Sequence, residues 1–337
     1  MFRLIARRLL MSVPTLAGIV LVTFALTRLL PGDPAAYFAG NAASVEAVEQ
    51  IRHKLGLDQP LATQFLRYVR ELATGDWGQS LSTGQPVATE IATRLPASLE
   101  LTLVALLASL SVSIPLGVLA ATRPGSWIDQ LCRLVTTAGV SLPVFFTGLL
   151  LSFVFYFLLG WAPSPLGRID PYVSAPATIT GFYLIDSALA GDGAAFVSSA
   201  RQLILPALTL ALFVMAPVAR MTRASMLGVL SADFVRTARA MGLSRMRVLY
   251  GYAFQNALLP VLTTIGMVFS FMLGANVLVE KVFAWPGIGS FAVESLVASD
   301  YAPVQGFVLT MAILYVALNL AIDLLYLAID PRVTVEG

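Results

Sequence analysis

The stretch RMTRASMLGVLSADFVRTARAMGLSRMR (residues 220–247) decides how this chain is arranged, because it interrupts a sequence otherwise suited to lipid. It holds six arginines and a single acid, Asp233. The arginines are Arg220, Arg223, Arg236, Arg239, Arg245 and Arg247. Apolar runs adjoin the stretch on both sides. We therefore expect a polar segment that lies outside the membrane and contacts another molecule.

Composition sets the class of protein. Apolar residues make up 58% of the chain and charged residues 12%, about half of the ~25% usual in soluble domains. A mean hydropathy of +0.82 indicates an integral membrane protein. The net charge of +2 gives no indication of a nucleic-acid partner. A single cysteine, Cys132, excludes an intramolecular disulfide.

Long gaps between charged residues locate the membrane spans, since an ion at the bilayer centre costs roughly 2.5–3.5 kcal/mol. About 20 helical residues cross about 30 Å of hydrocarbon, and six gaps are long enough. They are residues 9–27, 101–122, 134–167, 202–219, 248–279 and 301–322. The fold class predicted is an all-α integral membrane protein with six transmembrane helices.

The distribution of arginine predicts the orientation, because short cytoplasmic loops are enriched in Lys and Arg. With both termini in the cytoplasm, the arginines of residues 220–247 are cytoplasmic as well. The short external loops then carry only Arg168, Arg201 and Lys281. The opposite orientation would export the arginine cluster, so we predict a multi-pass protein with both termini inside.

Between the first two spans lies a segment with the composition of soluble protein. We predict that residues 1–96 form the first span and an extracytoplasmic segment, and that residues 97–330 form a core of five helices. Within the segment the pattern predicts helices over 43–55 and 60–72 and a loop over 75–85. Two roles stay open: a surface for an external partner, or a structural lid over the helices.

The cytoplasmic segment, residues 220–256, reads as two helices joined by a glycine. Residues 233–240 contain good helix formers, Ser231 or Asp233 is placed to cap their start, and Gly242 is placed to stop them. A second helix is predicted over 244–256. The two helices would present a short knob to the cytoplasm. The alternative is a positively charged loop that only fixes topology.

The sequence from Phe234, FVRTARAMGLSRMRVLYGYAFQNALLPVLT, resembles the EAA loop of type I ABC importer permeases, which have the MetI-like fold. Other motifs narrow the resemblance to the first membrane subunit of the dipeptide/oligopeptide/nickel transporter family, and it covers the whole chain. They are PGDP (31–34), LGLDQPL (55–61), GDWGQS (75–80), VEKVFAWPGIG (279–289) and NLAIDLLYLAIDPR (319–332). Their order matches the predicted topology.

The resemblance implies a role for particular residues. Arg236, Thr237 and Ala238 occupy the Glu-Ala-Ala positions, so no glutamate stands there, and Gly242 is the motif glycine. Residues expected to couple to an ATP-binding subunit are Arg236, Thr237, Ala238, Arg239, Gly242, Leu243 and Arg245. Residues expected at the external gate or on the binding-protein surface are Asp76, Trp77, Gly78, Trp285, Pro286 and Gly287.

The ATPase activity is expected in other chains. A P-loop needs a lysine followed by Ser or Thr, and the only lysines, Lys54 and Lys281, are followed by Leu and Val. The resemblance implies two ATP-binding subunits that hold ATP and magnesium, a second homologous permease and an extracytoplasmic solute-binding protein, at the bacterial inner membrane. Its substrates are peptides by default, with nickel chelates and saccharides as alternatives.

Two other classes of protein are disfavoured. An ion-coupled secondary transporter usually carries ionisable groups near mid-membrane, whereas Glu100, Glu280 and Asp323 are predicted near helix ends. An intramembrane enzyme needs a nucleophile and base or a metal cluster, and the only histidine, His53, lies outside every predicted span. We therefore predict a non-catalytic subunit with no catalytic or metal-binding residues.

Overall fold

The structure is a computed structural model that describes residues 2–29, 35, 44–54 and 56–329. Regular structure within these residues is helical, apart from one isolated bridge between Gln79 and Pro86. The PGDP motif, Leu55 of the second motif and the last three residues of NLAIDLLYLAIDPR lie outside the described residues.

The helices follow one another along the chain with short connections. In order they are α1 Phe2–Leu29, α2 Val45–Lys54, α3 Leu61–Ala73, α4 Val87–Thr122, α5 Trp127–Ser141, α6 Val144–Leu151, α7 Tyr183–Ala190, α8 Gly193–Leu230, α9 Asp233–Ala240, α10 Gln255–Val282, α11 Ile288–Val297 and α12 Tyr301–Ile329. Two π-helical stretches complete the set: Ser152–Leu158 continues α6, and Arg247–Phe254 leads into α10.

Four helical stretches of the described chain are long and apolar enough to cross a membrane, judged by length and composition. They are Val87–Thr122, Gly193–Leu230, Arg247–Val282 and Tyr301–Tyr326. These contain the second, fourth, fifth and sixth predicted spans. Shorter apolar stretches, Leu10–Ala25 and Val144–Leu158, overlap the first and third. The all-helical membrane class is confirmed, and the number six stays a prediction.

The third predicted span is divided in the structure. Helix α5 ends at Ser141, Leu142 is extended with φ −115° and ψ 141°, and α6 begins after Pro143. Proline lacks an N–H and pushes the preceding residue out of the helical region. The charge gap of residues 134–167 therefore holds the end of one helix and the start of another.

The chain forms two compact units: Met1–Pro96 with Pro286–Ala317, and Ala97–Trp285 with Leu318–Gly337. Helices α4 and α12 contribute residues to both. The predicted domain boundary between residues 96 and 97 stays a prediction. Each unit has its own apolar core.

In the first unit, α2 and α3 confirm the helices predicted over 43–55 and 60–72. Helix α3 packs on α1 through Phe24, whose ring lies 5.3 Å from that of Phe65 and 5.8 Å from that of Tyr68, between centroids. A separate cluster joins the start of α4 to α11 and is formed by Val87, Ile91, Ile288 and Phe291.

In the second unit, α8 is the central helix. Its buried residues Leu210, Val214 and Val218 belong to one cluster with Val268 and Met272 of α10. Helix α4 crosses α8 closely, because a Cβ added at Gly117 would lie 2.8 Å from the carbonyl oxygen of Ala219. Small residues at such crossings let helix backbones approach one another where lipid surrounds the protein.

Candidate functional site

Helix α9 is short and two-faced. Val235 (0% exposed) and Ala238 (3%) are buried in a cluster with Met226, Val248 and other apolar residues of the second unit. Arg236, Thr237 and Arg239 are exposed. The helix is therefore packed on the bundle through two small apolar side chains while its basic residues face outward.

The start of α9 differs from the prediction. Its N-cap is Ala232, with no side-chain cap hydrogen bond. The Ser231 hydroxyl instead donates to the Gly228 carbonyl oxygen at 2.8 Å, and Asp233 is the first helical residue. The predicted cap at Ser231 or Asp233 is therefore wrong. An acid in the first turn still interacts favourably with the helix dipole.

The predicted stop at Gly242 is confirmed. Its φ is +76°, and its N–H donates to the Arg239 carbonyl oxygen at 3.0 Å. The next residue, Leu243, donates to the Ala238 carbonyl oxygen at 3.4 Å. No heavy atom lies within 4 Å of a Cβ built at Gly242. The glycine is therefore required here by backbone conformation and not by crowding within the chain.

After this turn the π-helical residues Arg247–Phe254 lead directly into α10. The predicted helix over 244–256 is thus present but not uniformly α-helical. Ser244 organises its start: its hydroxyl oxygen accepts from the Arg247 N–H at 3.4 Å, and its carbonyl oxygen accepts from the Val248 N–H at 3.0 Å. Val248, Leu249 and Ala253 belong to the same cluster as α9.

The exposed arginines of the segment make few internal contacts. Arg236 lies 3.7 Å from Asp233, and the two side chains are 81% and 94% exposed. Such a surface pair contributes about 0–1 kcal/mol. In the part of the chain that the structure describes, Arg239 and Arg245 have neither an ion pair nor a side-chain hydrogen bond. The segment therefore presents positive charge to whatever meets it.

A groove of about 640 Å³ runs beside α9. Three of the predicted coupling residues line it: Arg239, Leu243 and Arg245. The rest of the lining is largely apolar and comes from the ends of α4 and α8 and from Val248 and Leu249. The structure thus brings Arg239, Leu243 and Arg245 to one groove, whereas Arg236, Thr237 and Gly242 do not line it.

A partly buried ion pair joins α8, just before this segment, to α5. Arg223 on α8 donates from Nε and Nη2 to the two carboxylate oxygens of Asp129 on α5, at 2.5 and 3.0 Å. Arg133 and the Gly125 N–H also donate to Asp129, at 3.3 and 3.0 Å. These donors, Arg223 first, hold the pKa of Asp129 well below its usual range. Asp129 therefore anchors the start of α5 to α8.

The sequence pattern did not single out Asp129, although a signal was present. Ser126 accepts from the Asp129 N–H at 3.4 Å and caps α5, so the four residues follow the Ser-x-x-acid pattern of a helix start. Arg220 is exposed, and its Nη2 donates to the Thr136 carbonyl oxygen at 3.3 Å. Arg220 and Arg223 thus hydrogen-bond to α5, whereas Arg236, Arg239, Arg245 and Arg247 are exposed on the segment that follows α8.

The predicted outer residues of the first unit divide by exposure. Asp76 is exposed and accepts from the Gly78 N–H at 3.0 Å. Trp77 is half-buried against the cluster that joins α4 to α11. Pro286 is exposed, and the buried Gly287 precedes α11 and accepts from the Phe291 N–H at 3.3 Å. Asp76 and Pro286 are thus accessible to a partner protein, while Trp77 and Gly287 are packed within their loops.

Asp300 is a further residue of the first unit, and sequence reasoning missed it. Its buried carboxylate accepts from the Ser80 hydroxyl at 2.7 Å and from the Ser82 N–H at 3.0 Å. This contact holds the loop predicted over 75–85, which has no helix in the structure. The only local signal is an acid directly before an apolar helix, and it does not identify Ser80 as the partner.

In the second unit, Trp285 is 1% exposed. Its indole Nε1 donates to the Ala97 carbonyl oxygen at 2.9 Å, and its backbone N–H donates to the Glu280 carbonyl oxygen at 2.8 Å. A buried, hydrogen-bonded tryptophan offers no surface to a docking protein. Among the two roles predicted for this residue, the structure favours shaping the outer end of the helices.

Glu100 departs from the prediction that it lies near a helix end. Helix α4 begins at Val87, so Glu100 lies well inside it and is 3% exposed. Its carboxylate accepts from Arg168 Nη2 at 2.6 Å and from the Leu184 N–H at 2.8 Å. The helix extends beyond its most apolar part because Val87 and Ile91 are packed in the first unit's core. Glu280, at the end of α10, lies where predicted.

The comparisons with known proteins agree with this architecture. Residues 113–335 match the family described as "Binding-protein-dependent transport system inner membrane component", and residues 1–102 match its N-terminal family, "Binding-prot-dependent transport system membrane comp, N-term". Together the two matches account for nearly the whole chain.

The chain is 46% identical over 317 residues to the probable D,D-dipeptide transport system permease protein DdpB of Escherichia coli K12, covering 94% of this chain and 93% of the relative. It is 43% identical over 335 residues to the di/tripeptide transport system permease protein DppB of Pseudomonas aeruginosa UCBPP-PA14, covering 99% of each. It is 40% identical over 337 residues to the dipeptide transport system permease protein DppB of Escherichia coli K12, again covering 99% of each.

These similarities confirm the resemblance to the dipeptide-type importer permeases. They also confirm that the chain is a non-catalytic membrane component and not an enzyme, since the relatives are named as permease proteins of transport systems. A multi-pass protein of the inner membrane agrees with both the family and the apolar helices. On this evidence, the chain belongs to the family of inner membrane components of binding-protein-dependent transport systems.

Proposed function

We propose that the chain is the first of two homologous permease subunits of an ATP-driven importer of short peptides. It forms half of the translocation pathway, and the second permease forms the other half. Support for the substrate comes from relatives named for dipeptides and di- or tripeptides, at 40–46% identity over nearly the whole chain. An extracytoplasmic solute-binding protein delivers the peptide.

The observation that carries this proposal is the two-faced packing of α9. A coupling element must be fixed to its own bundle and yet present a surface to the motor. Val235 and Ala238 fix α9 to the second unit, and Gly242 closes the helix with a left-handed turn. Arg236 and Thr237 remain exposed for an ATP-binding subunit. Movement of that subunit would thus reach α8 and α10 through α9.

The motor consists of two separate ATP-binding subunits, which hold ATP and magnesium. The two lysines of this chain are not in a P-loop context. Both termini and α9 face the cytoplasm, as the arginine distribution favours. On the outer side, Asp76, Trp77, Gly78, Pro286 and Gly287 lie on or beneath the surface that meets the solute-binding protein, and Trp285 shapes the outer gate.

Site-specific cross-linking tests the contact with the ATP-binding subunit. Cys132 is the only cysteine of this chain, so Cys132→Ser gives a chain without a thiol of its own. In that background Thr237→Cys places a thiol on the exposed face of α9, and Ala238→Cys places one on the buried face. Both are expressed with the second permease and the ATP-binding subunits and treated with a short thiol-to-amine cross-linker.

We expect Thr237→Cys to form a covalent adduct with an ATP-binding subunit and Ala238→Cys to form little or none. The adduct should change in yield when ATP or ADP is added, because the subunit moves with its nucleotide state. An equal yield from the two positions, or an absence of adduct at Thr237 in an assembled complex, would contradict the docking role of α9.

A further inference from the structure

The groove beside α9 lies at the ends of membrane-spanning helices. Ala121 and Thr122 are the last residues of α4, Leu230 ends α8, and Val248 and Leu249 stand in the first turns of Arg247–Val282. All three stretches are long and apolar enough to cross a membrane. Where spans end, hydrocarbon gives way to lipid headgroups. Two predicted spans, residues 101–122 and 248–279, end at the groove, so the groove borders the headgroup side of the hydrocarbon.

Its lining is suited to an amphipathic anion. Apolar residues form most of the wall, and the charged residues that line it are both arginines, Arg239 and Arg245. Among the described residues neither arginine is engaged in an ion pair or a side-chain hydrogen bond. Arg223 differs, since Asp129 neutralises it. A guanidinium offers a planar pair of donors that match phosphate oxygens.

We propose that this groove binds the headgroup of an anionic phospholipid, with Arg239 and Arg245 holding the phosphate and the apolar wall receiving the glycerol backbone and the first acyl carbons. The proposal rests on the cytoplasmic placement of α9 given under the proposed function. The cytoplasmic leaflet supplies anionic lipids, which basic pockets between helices recognise. A lipid is favoured over a protein partner because two predicted spans end at the groove.

The proposal divides the basic residues of the segment between two ligands. Arg236 and Thr237 do not line the groove and stay available to the ATP-binding subunit. Arg239 and Arg245 hold a lipid that packs between α9 and the ends of α4 and α8. A bound lipid would then brace α9 on the bundle, so that coupling depends on membrane composition.

The test is a lipid titration of the purified full-length chain, followed by native mass spectrometry. The probes are dioleoylphosphatidylglycerol, dioleoylphosphatidylcholine and, as a soluble phosphate, glycerol 3-phosphate. We expect one phosphatidylglycerol to bind at least about tenfold more tightly than phosphatidylcholine, and glycerol 3-phosphate not to displace it. Equal binding of the two lipids, or displacement by glycerol 3-phosphate, would overturn the assignment.

Variants locate the site. The double variant Arg239→Gln/Arg245→Gln should lose the preference for phosphatidylglycerol. The matched control, Arg247→Gln, removes the same charge two residues from Arg245, and Arg247 is exposed without lining the groove, so it should bind within about twofold of the parent. Ser231→Trp keeps both arginines but fills the groove, and it should also weaken binding.

Unchanged lipid preference in both the double variant and Ser231→Trp would refute the site, as would an equal loss in Arg247→Gln. The readout uses the chain without its partners. It therefore stays separate from the cross-linking of Thr237, which tests the docking of the ATP-binding subunit. A failure of one experiment leaves the result of the other intact.

Discussion

Gly242→Val perturbs the coupling turn through its backbone alone. The φ of Gly242 is +76°, and a Cβ at this position would meet no heavy atom within 4 Å. The substitution therefore costs conformational strain and no internal clash. A non-glycine residue held in the left-handed region costs about 1–3 kcal/mol, and a β-branched side chain belongs at the upper end. This strain shifts the equilibrium between the formed and the opened turn by about 5- to 140-fold.

Gly251→Val is the matched control, because a Cβ there would meet only Arg247 Cγ at 3.9 Å and the backbone is helical. In a helix, valine and glycine differ by only about 0.5 kcal/mol. A third variant, Gly242→Asn, separates the two possible causes. Asparagine tolerates the left-handed region but still places a side chain on the surface that meets the partner.

The assay is peptide uptake and ATP hydrolysis by the assembled complex in proteoliposomes, with subunit stoichiometry measured on the same samples. Gly242→Val should insert and retain the second permease but lose ATP-binding subunits or hydrolyse ATP without uptake. Gly251→Val should behave nearly as the parent. Recovery in Gly242→Asn would assign the effect to backbone strain, and failure in it would assign the effect to crowding of the partner. Full uptake in Gly242→Val would refute the coupling role of this turn.

Four further predictions concern the anchors and the topology. Asp129→Asn should lower the free energy of unfolding by about 1–3 kcal/mol, because it leaves the partly buried Arg223 without its carboxylate. Asp233→Asn on the exposed pair should cost under about 1 kcal/mol, and equal effects of the two substitutions in thermal unfolding would contradict this. The pKa of Asp129 is lower in the folded than in the unfolded chain, so its ionised carboxylate stabilises the folded state above about pH 4. This stabilisation is lost only as the pH falls through the lowered pKa of the folded state. The free energy of unfolding of the wild type should therefore show no step from Asp129 between pH 5 and 8. Asp300→Ala should release the loop around Ser80 and reduce uptake while the ATP-binding subunits stay bound, and normal transport would make this loop a passive lid. A reporter active only in the cytoplasm should work when fused after Ser244 and fail after Ser80, and activity at both positions or at neither would refute the predicted orientation.

Much of the helical segment could be predicted because its signals are local. Helix α9 follows from good helix formers over residues 233–240, and its end follows from Gly242, whose positive φ the structure confirms. The wrong cap shows the limit of such signals. Ser231 and Asp233 both carry side chains suited to capping, yet the chain enters the helix through Ala232, and the preference of a residue type does not decide which neighbour is used.

The membrane helices follow from apolar length, but their bounds do not. Helix α4 extends to Val87, well before the apolar stretch predicted from residue 101, because Val87 and Ile91 are packed in the first unit. That extension placed Glu100 inside a helix. The break at Pro143 was readable from the sequence, since a proline in a long apolar run indicates a boundary as well as a kink.

The buried polar pairs could not be predicted, because their partners are distant along the chain. Arg223 lies 94 residues from Asp129, Arg168 lies 68 residues from Glu100, and Ser80 lies 220 residues from Asp300. Charge counting placed Arg223 and Arg168 in loops or at the surface. Only tertiary packing shows that their guanidinium groups are bound internally to carboxylates and are not available to partners.

The most direct test of the central claim is the energy source of peptide uptake. The complete complex is reconstituted into proteoliposomes with its solute-binding protein, ATP is enclosed on the side of α9, and uptake of a radiolabelled dipeptide is measured with and without ionophores that collapse ion gradients. We predict uptake that requires enclosed ATP and the binding protein and that persists with ionophores. Uptake driven by a proton or sodium gradient without ATP would contradict the account and favour an ion-coupled transporter.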